Sequence, residues 1–344
     1  MTPAEPKTYR FDLTKTINRL VIVVSIGVVA HLIFLLLTND RNVFQYLSHI
    51  KIPYLFIIFF LLAFNWFGHA YRITLWTKYL KQELPFKAAL KIALYTELGA
   101  SVTPTVIGGG PIKLGLLIRN GLTTGKAGFL TLLGGLEDLI MYTCVFIVAC
   151  IHAKSSIFRI LTSIFDGIKS NWLIILGITI VIILIRFILK KTNTTISYIP
   201  KKYIPAWNNF KNELLNGFSE MRAAFKQVVR DGWSTFLISF PILILQWMCK
   251  LSVLVVLLYA IGIEFKPFQI YIQQWIVYLT MMFVPTPGAT GGAEATFFLL
   301  FEGEIPKEFL PLIVSTWRFF MYYLMLFSSI FIIQFFKFSD HETS

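Results

Sequence analysis

Apolar residues fill long runs near 20–37, 52–76, 127–152, 171–189, 232–260 and 309–336. Each can cross about 30 Å of hydrocarbon as a helix, which takes roughly 20 residues. The pattern predicts six full transmembrane helices. Two further apolar stretches, 92–107 and 270–284, are cut by Pro and Gly clusters and followed by shorter apolar segments, 111–120 and 291–301. These predict broken helices, drawn as re-entrant hairpins over 92–120 and 270–301. One long polar segment, 190–231, remains. From Trp207 to Arg230 it spaces Phe210, Leu214, Phe218, Met221 and Phe225 at helical intervals among Lys and Arg, which predicts an amphipathic helix at the membrane surface. A solvated linker is the alternative.

The two broken stretches match each other. The first reads Thr103-Pro104-Thr105-Val106-Ile107-Gly108-Gly109-Gly110 and the second Thr286-Pro287-Gly288-Ala289-Thr290-Gly291-Gly292-Ala293, an offset of 183 residues. Two spans, a broken stretch and one more span precede and follow the midpoint in the same order. The expected architecture is therefore an all-α polytopic membrane protein built as a repeat, 1–170 and 171–344, the second unit carrying the 190–231 segment. With hairpins, each unit holds three crossings, so the second is inverted relative to the first.

Composition agrees with lipid as the solvent. Of 344 residues, 56% are hydrophobic and 14% charged, more apolar surface than a water-soluble core of this size can cover. The net charge of +13 would suggest nucleic acid in a soluble chain, but here Lys and Arg fall mostly in the loops. With the hairpins returning to their starting sides, one side of the membrane carries 21 basic residues and the other 7. The heavier side is cytoplasmic by the positive-inside rule, which puts both termini in the cytoplasm and the protein in the plasma membrane. The run 20–37 is too long for a typical signal peptide and lacks a small-x-small cleavage site, so it is expected to stay as the first helix.

Chemistry-bearing patterns are few. There is no Gly-x-Ser-x-Gly, P-loop, His-Glu-x-x-His or Gly-x-Gly-x-x-Gly string, the five histidines are scattered, and Cys144, Cys150 and Cys249 lie within apolar runs. No catalytic residue, metal site or cofactor is expected. The glycine breaks carry the functional expectation, because irregular backbone at membrane depth is tolerated only against protein or a wet cavity. Pro104, Pro285 and Pro287 mark the interruptions. Pro111, after Gly108-Gly109-Gly110, suits the first turn of a new helix, whose free N–H groups favour an anion; Lys113 and Arg119 add full charges. The alternative is a glycine-lined helix contact with Lys113 snorkelling. Glu97, Glu137, Asp138, Glu294, Arg186, Lys250 and Arg318 lie in apolar stretches and should face the interior, mostly in pairs. Glu294 is matched to Arg318, and Glu137 and Asp138 to Lys113 or Arg119. Arg186, near a helix end, reads as a snorkelling anchor.

Two strings carry a family resemblance. Thr103-Pro104 through Gly108-Gly109-Gly110-Pro111-Ile112-Lys113, with Leu117 and Arg119-Asn120-Gly121-Leu122, resembles the first signature of the lysylphosphatidylglycerol synthase transmembrane family of flippase-like proteins. Val284-Pro285-Thr286-Pro287-Gly288-Ala289-Thr290-Gly291-Gly292-Ala293-Glu294-Ala295, with Trp317-Arg318 and Tyr322-Tyr323, resembles the second more closely. The resemblance implies movement of lipids, such as aminoacylated phosphatidylglycerol, between leaflets, here without the soluble aminoacyl-transferase domain of some members. It also implies an acidic residue after the first glycines, where this chain has Gly110-Pro111.

The expected function is translocation of an anionic phospholipid, aminoacyl-lipid or polyprenyl-phosphate lipid. Lys113, Arg119 and Arg318 would hold the phosphate, Glu294 and Glu137 would hold or release those cations, and Gly108, Gly109, Gly110, Gly291 and Gly292 would let backbone approach the headgroup. A lipid-modifying membrane enzyme using Glu137-Asp138, and a non-catalytic partner of a lipid- or glycan-building enzyme docking through 190–231, are the alternatives. Membrane lipids are the expected partners, nucleic acid is not, and small residues in several spans permit a homodimer.

Overall fold

The computed structural model describes residues 50–103, 108–154, 158, 162, 204–284, 286 and 288–341, and among them there is no strand. The elements are α1 (Ile52–Tyr79), α2 (Phe86–Val102), α3 (Gly109–Arg119), α4 (Thr124–His152), α5 (Ile204–Asp231), α6 (Trp233–Ile261), α7 (Pro267–Met281), α8 (Gly292–Phe301), α9 (Leu310–Arg318), a π-helical turn (Phe319–Leu324) and α10 (Met325–His341). Four stretches are long and apolar enough to cross a membrane: α1, α4, α6, and α9 through the π turn into α10 as far as Ile333. They match four of the six expected spans. The expected spans at 20–37 and 171–189, and Arg186, lie outside the described residues.

Local chemistry sets the ends of these helices. Pro53 and Pro267 stand in the first turns of α1 and α7, where a missing N–H costs nothing. Thr123 caps α4, its hydroxyl accepting from the Lys126 N–H. Gly262 closes α6 at φ 80°, a left-handed conformation that glycine adopts without a Cβ clash. The outward faces are apolar. Phe56, Phe59 and Phe60 on α1, Leu132 and Leu139 on α4 and Leu237 on α6 are all exposed, as lipid-facing side chains are.

Both broken stretches fold back on themselves. In the first, α2 and α3 pack so closely that a Cβ on Gly109 would lie 2.9 Å from the Thr96 carbonyl oxygen, while Gly99 abuts Ile112. In the second the register is antiparallel: Val284 lies against Gly292, Thr280 bonds Thr296 at 3.2 Å, and Gln269 bonds Glu304. The helices after the breaks, α3 and α8, begin at Gly109 and Gly292, which stand 183 residues apart like the repeated motif itself. Pro111 falls in the first turn of α3, as expected. Pro104, Pro285 and Pro287 lie outside the described residues.

Two apolar cores surround the hairpins. Ala89, Ile92, Ala93 and Leu117 of the first join Ile73 and Trp76 of α1 and Leu130 of α4. Ile276, Val277, Phe297 and Phe301 of the second join Leu254 and Leu257 of α6 and Trp317 of α9. Helices α1 and α6 cross antiparallel between them, with Asn65 opposite Gln246 and Trp76 opposite Ser239. The amphipathic segment is a 28-residue helix, α5, longer than the stretch read from the sequence. It packs on the start of α4 and the end of α1: Ala224 is buried, Glu220 fills the notch left by Gly125, and Tyr79 donates to the Gln227 carbonyl at 3.2 Å.

The close approach of α2 and α3 has a measurable consequence. Gly109→Val drives a side chain into the α2 backbone and is expected to destabilise the protein by about 1–3 kcal/mol in detergent unfolding. Gly115→Ala, with nothing within 4 Å of its Cβ, is expected to leave the midpoint unchanged or slightly raised.

Candidate functional site

Polar side chains that enter an apolar bundle must find partners there. Helix α1 carries Asn65, His69, Arg72 and Trp76 along the face turned to α4 and α6. Arg72 is buried, and its Nη2 donates to Glu137 of α4 in a close ion pair. Its other nitrogens reach Ser239 and Gln246 of α6, each at 3.4 Å. Glu137, 1% exposed, also accepts from Ser239 Oγ at 2.7 Å and from Trp76 Nε1 at 3.3 Å. Gln246 donates to the Asn65 carbonyl at 2.8 Å, and Asn65 Nδ2 donates to Glu97 of α2 at 3.2 Å. One network thus ties α1, α2, α4 and α6 together. The sequence matches Glu137 to Lys113 or Arg119, but its partner is Arg72, which the packing of α1 against α4 buries beside it.

A cavity of about 370 Å³ opens beside this network. Arg72, Lys113, Lys250, Glu137, Asp138 and His69 line it, together with Gly110 from the first turn of α3. Lys113 fits because Gly134 faces it; a Cβ there would stand 3.1 Å from the ammonium. Among the described residues, no carboxylate lies within 4 Å of the Lys113 or Lys250 ammonium. Three cations against two carboxylates leave this wall with a surplus of one positive charge. Arg119, also expected here, is exposed in the last turn of α3 and lines no described cavity.

A second cavity, about 590 Å³, adjoins the first and shares Gly135, Asp138, Trp247 and Lys250 with it. Its remaining wall is mostly apolar and aromatic, with Tyr142, Tyr278, Met281, Trp317, Met321 and Tyr322. Gly288, at the second break, also reaches it. The first space is thus charged, and the second sets Glu97, Asp138, Lys250 and Arg318 among apolar and aromatic side chains.

Arg318 lines the second cavity, and its nitrogens are engaged. Nε lies 2.8 Å from Glu294 Oε1, Nη1 donates to the Gly288 carbonyl at 3.0 Å, and Nη2 donates to the Ala289 carbonyl and to Glu294, each at 3.2 Å. Glu294 also accepts from the Gly291 N–H at 2.7 Å, capping α8. The pairing expected for these two residues is present, and it holds the second break in shape. Threonines staple both breaks: Thr103 Oγ1 donates to the Gly99 carbonyl and accepts from the Gly108 N–H, and Thr286 Oγ1 donates to the Thr290 carbonyl. Tyr322, on the π turn, donates to the Ser101 carbonyl at 2.9 Å and joins the two hairpins.

The glycines divide by task. Gly110 faces the first cavity, Gly108 and Gly109 let backbone segments meet, and Gly292 makes room for the Val284 side chain. Gly291 holds φ 87° at the start of α8. Among the described residues no three His, Cys, Asp or Glu side chains form a group that could hold a metal ion.

A sequence model of the lysylphosphatidylglycerol synthase transmembrane region matches residues 21–329. The chain belongs to this family. A relative from Archaeoglobus fulgidus, described as a UPF0104 membrane protein, is 23% identical over 285 residues, covering 79% of this chain and 84% of its own length. Family membership, four apolar spanning helices and the absence of strands among the described residues establish a helical membrane protein.

The Arg72–Glu137 pair has a clear energetic signature. Removing one partner leaves a buried charge uncompensated, so Arg72→Ala is expected to cost about 3–5 kcal/mol in detergent unfolding. The double variant Arg72→Met, Glu137→Leu is expected to recover most of that loss, because it replaces both charges with packed hydrocarbon.

Proposed function

We propose that this family member is a lipid translocase whose two joined cavities hold an amphiphile with a phosphate-bearing headgroup. The observation that carries the reading is the surplus of positive charge in a polar cavity enclosed by apolar helices. An anionic headgroup there neutralises the surplus, and Lys113 can give it a charge-assisted hydrogen bond. The α3 first turn, reaching the cavity at Gly110, adds its partial positive end. Acyl or prenyl chains occupy the apolar compartment or pass between helices into lipid. Candidate cargoes are anionic phospholipids, aminoacyl-lipids and polyprenyl phosphates.

Translocation requires two states of comparable energy, one open to each leaflet. The antiparallel crossing of α1 and α6, each followed by a hairpin and another long apolar helix, supports an inverted repeat that supplies them. In this reading both termini and α5 face the cytoplasm, with the Tyr79, Lys126 and Gln227 end of the bundle, and the chain resides in the plasma membrane. Lys113 and Lys250 bind the phosphate; Arg318 and Glu294 hold the second hairpin while it moves. No catalytic step is assigned. Of the two acids a lipid-modifying enzyme could use, Glu137 is taken up by Arg72, Ser239 and Trp76, while Asp138 lines both cavities.

Reconstitution into liposomes with labelled phosphatidylglycerol and a labelled polyprenyl phosphate tests the reading. Leaflet exchange is expected to depend on the protein and to slow about tenfold or more in Lys113→Ala, the loss of one charged hydrogen bond of roughly 1.5–3 kcal/mol, with Lys113→Arg close to the parent. Exchange no faster than in protein-free vesicles, for every anionic lipid tried, overturns it.

A further inference from the structure

Lys250 stands on α6 where the two cavities meet. Its ammonium lies 5.2 Å from the ring centroid of Trp247 and 5.2 Å from that of Tyr278. Both distances fall within the roughly 6 Å over which an aromatic face attracts a cation. The rings are themselves held in place: Trp247 packs on Trp275 at 4.5 Å and on Tyr142 at 5.5 Å, and Tyr142 meets Trp275 edge-on at 5.4 Å. With no carboxylate within ion-pairing distance among the described residues, this ammonium packs on aromatic faces, and Glu97 on the same cavity wall attracts it only at longer range.

Aromatic walls beside a polar pocket are a common means of taking up a ligand's amine or quaternary ammonium. Here that place is filled from within the chain. We infer that Lys250 is a resident cation standing where a headgroup amine would sit, so that the site takes lipid phosphates without an amine or ammonium and turns away zwitterionic and aminoacylated ones.

The surrounding charges act in the same direction. An incoming ammonium would share the first cavity with Arg72, Lys113 and Lys250, where cations already outnumber carboxylates. Glu97, the further carboxylate of the second cavity, is held by the Asn65 amide, and Asp138 faces the space that both lysines line. A phosphate, by contrast, can bond to Lys113 and draw the Lys250 ammonium toward it without leaving either charge unpaired. The inference rests on the reading of these cavities as a headgroup site and narrows its ligand to amine-free phosphates, whether phosphodiesters with hydroxylated headgroups or phosphomonoesters.

Lipid binding to the full chain in detergent, followed by native mass spectrometry, tests this separately from transport. Phosphatidylglycerol and phosphatidic acid represent the two phosphate types; phosphatidylethanolamine and lysyl-phosphatidylglycerol carry amines. The parent is expected to bind the first two at least about tenfold more tightly than the last two. Lys250→Ala, which frees the rings, is expected to erase that gap by admitting the amines, and Lys250→Arg to keep it. Equal binding of phosphatidylglycerol and phosphatidylethanolamine by the parent overturns the inference, as does a gap that persists in Lys250→Ala. If Lys250→Ala does not fold, the parent and Lys250→Arg titrations decide alone. Selective binding without leaflet exchange in vesicles removes the translocase reading and leaves this one standing; exchange without selectivity does the reverse.

Discussion

A helix interrupted inside hydrocarbon exposes carbonyl and amide groups to a medium that cannot satisfy them, so the protein must supply every partner itself. Both hairpins of this chain are shaped by that requirement. At the second break Arg318 donates to two consecutive carbonyls while Glu294 compensates its charge and caps the next helix. At the first, Thr103 alone spans the described part of the gap, with one hydroxyl serving both a carbonyl and an amide. The threonines and glycines recur at a fixed offset, and each break uses a short side chain to staple the turn and lacks a Cβ where a neighbour packs close, backbone at the first and the Val284 and Tyr322 side chains at the second.

The two halves differ in an instructive way. The offset of 183 that superposes the glycine strings also sets Pro111 against Glu294 and Gly135 against Arg318. The first half thus lacks both members of the clamp that fills the second. Gly135 lines both cavities, and Arg318 lines the second from across it.

Much of this was legible in the chain before any coordinates. Apolar runs are a strong signal because hydrocarbon thickness fixes helix length, and the four described spans fall where those runs lie. The breaks were legible because proline and glycine are otherwise costly in a helix. The Glu294–Arg318 pair could be matched because one carboxylate and one guanidinium stand close in the chain around the same break. Arg72 and Glu137 could not. They lie on helices that meet only in three dimensions, and Arg72, near the end of an apolar run, reads equally well as a loop cation. What distinguishes it is the polar face it shares with Asn65, His69 and Trp76 at helical spacing within the 52–76 run, whose partner helices only the fold identifies.

Lys250 shows why composition and spacing fall short of a binding site. In the sequence it is one cation in a long apolar run, to be paired with some carboxylate by the usual cost argument. In the fold its stabilisation comes from ring faces contributed by α6 and α7, elements whose packing brings Trp247 and Tyr278 together around it. Aromatic faces attract a cation without neutralising it, so the positive charge remains available to a ligand. An acid in the same place would have closed a salt bridge and left the cavity with no surplus. In the proposed headgroup site, aromatic faces in place of a carboxylate at this one position would keep the pocket receptive to an anion, while Arg72 and Arg318 are each tied to an acid.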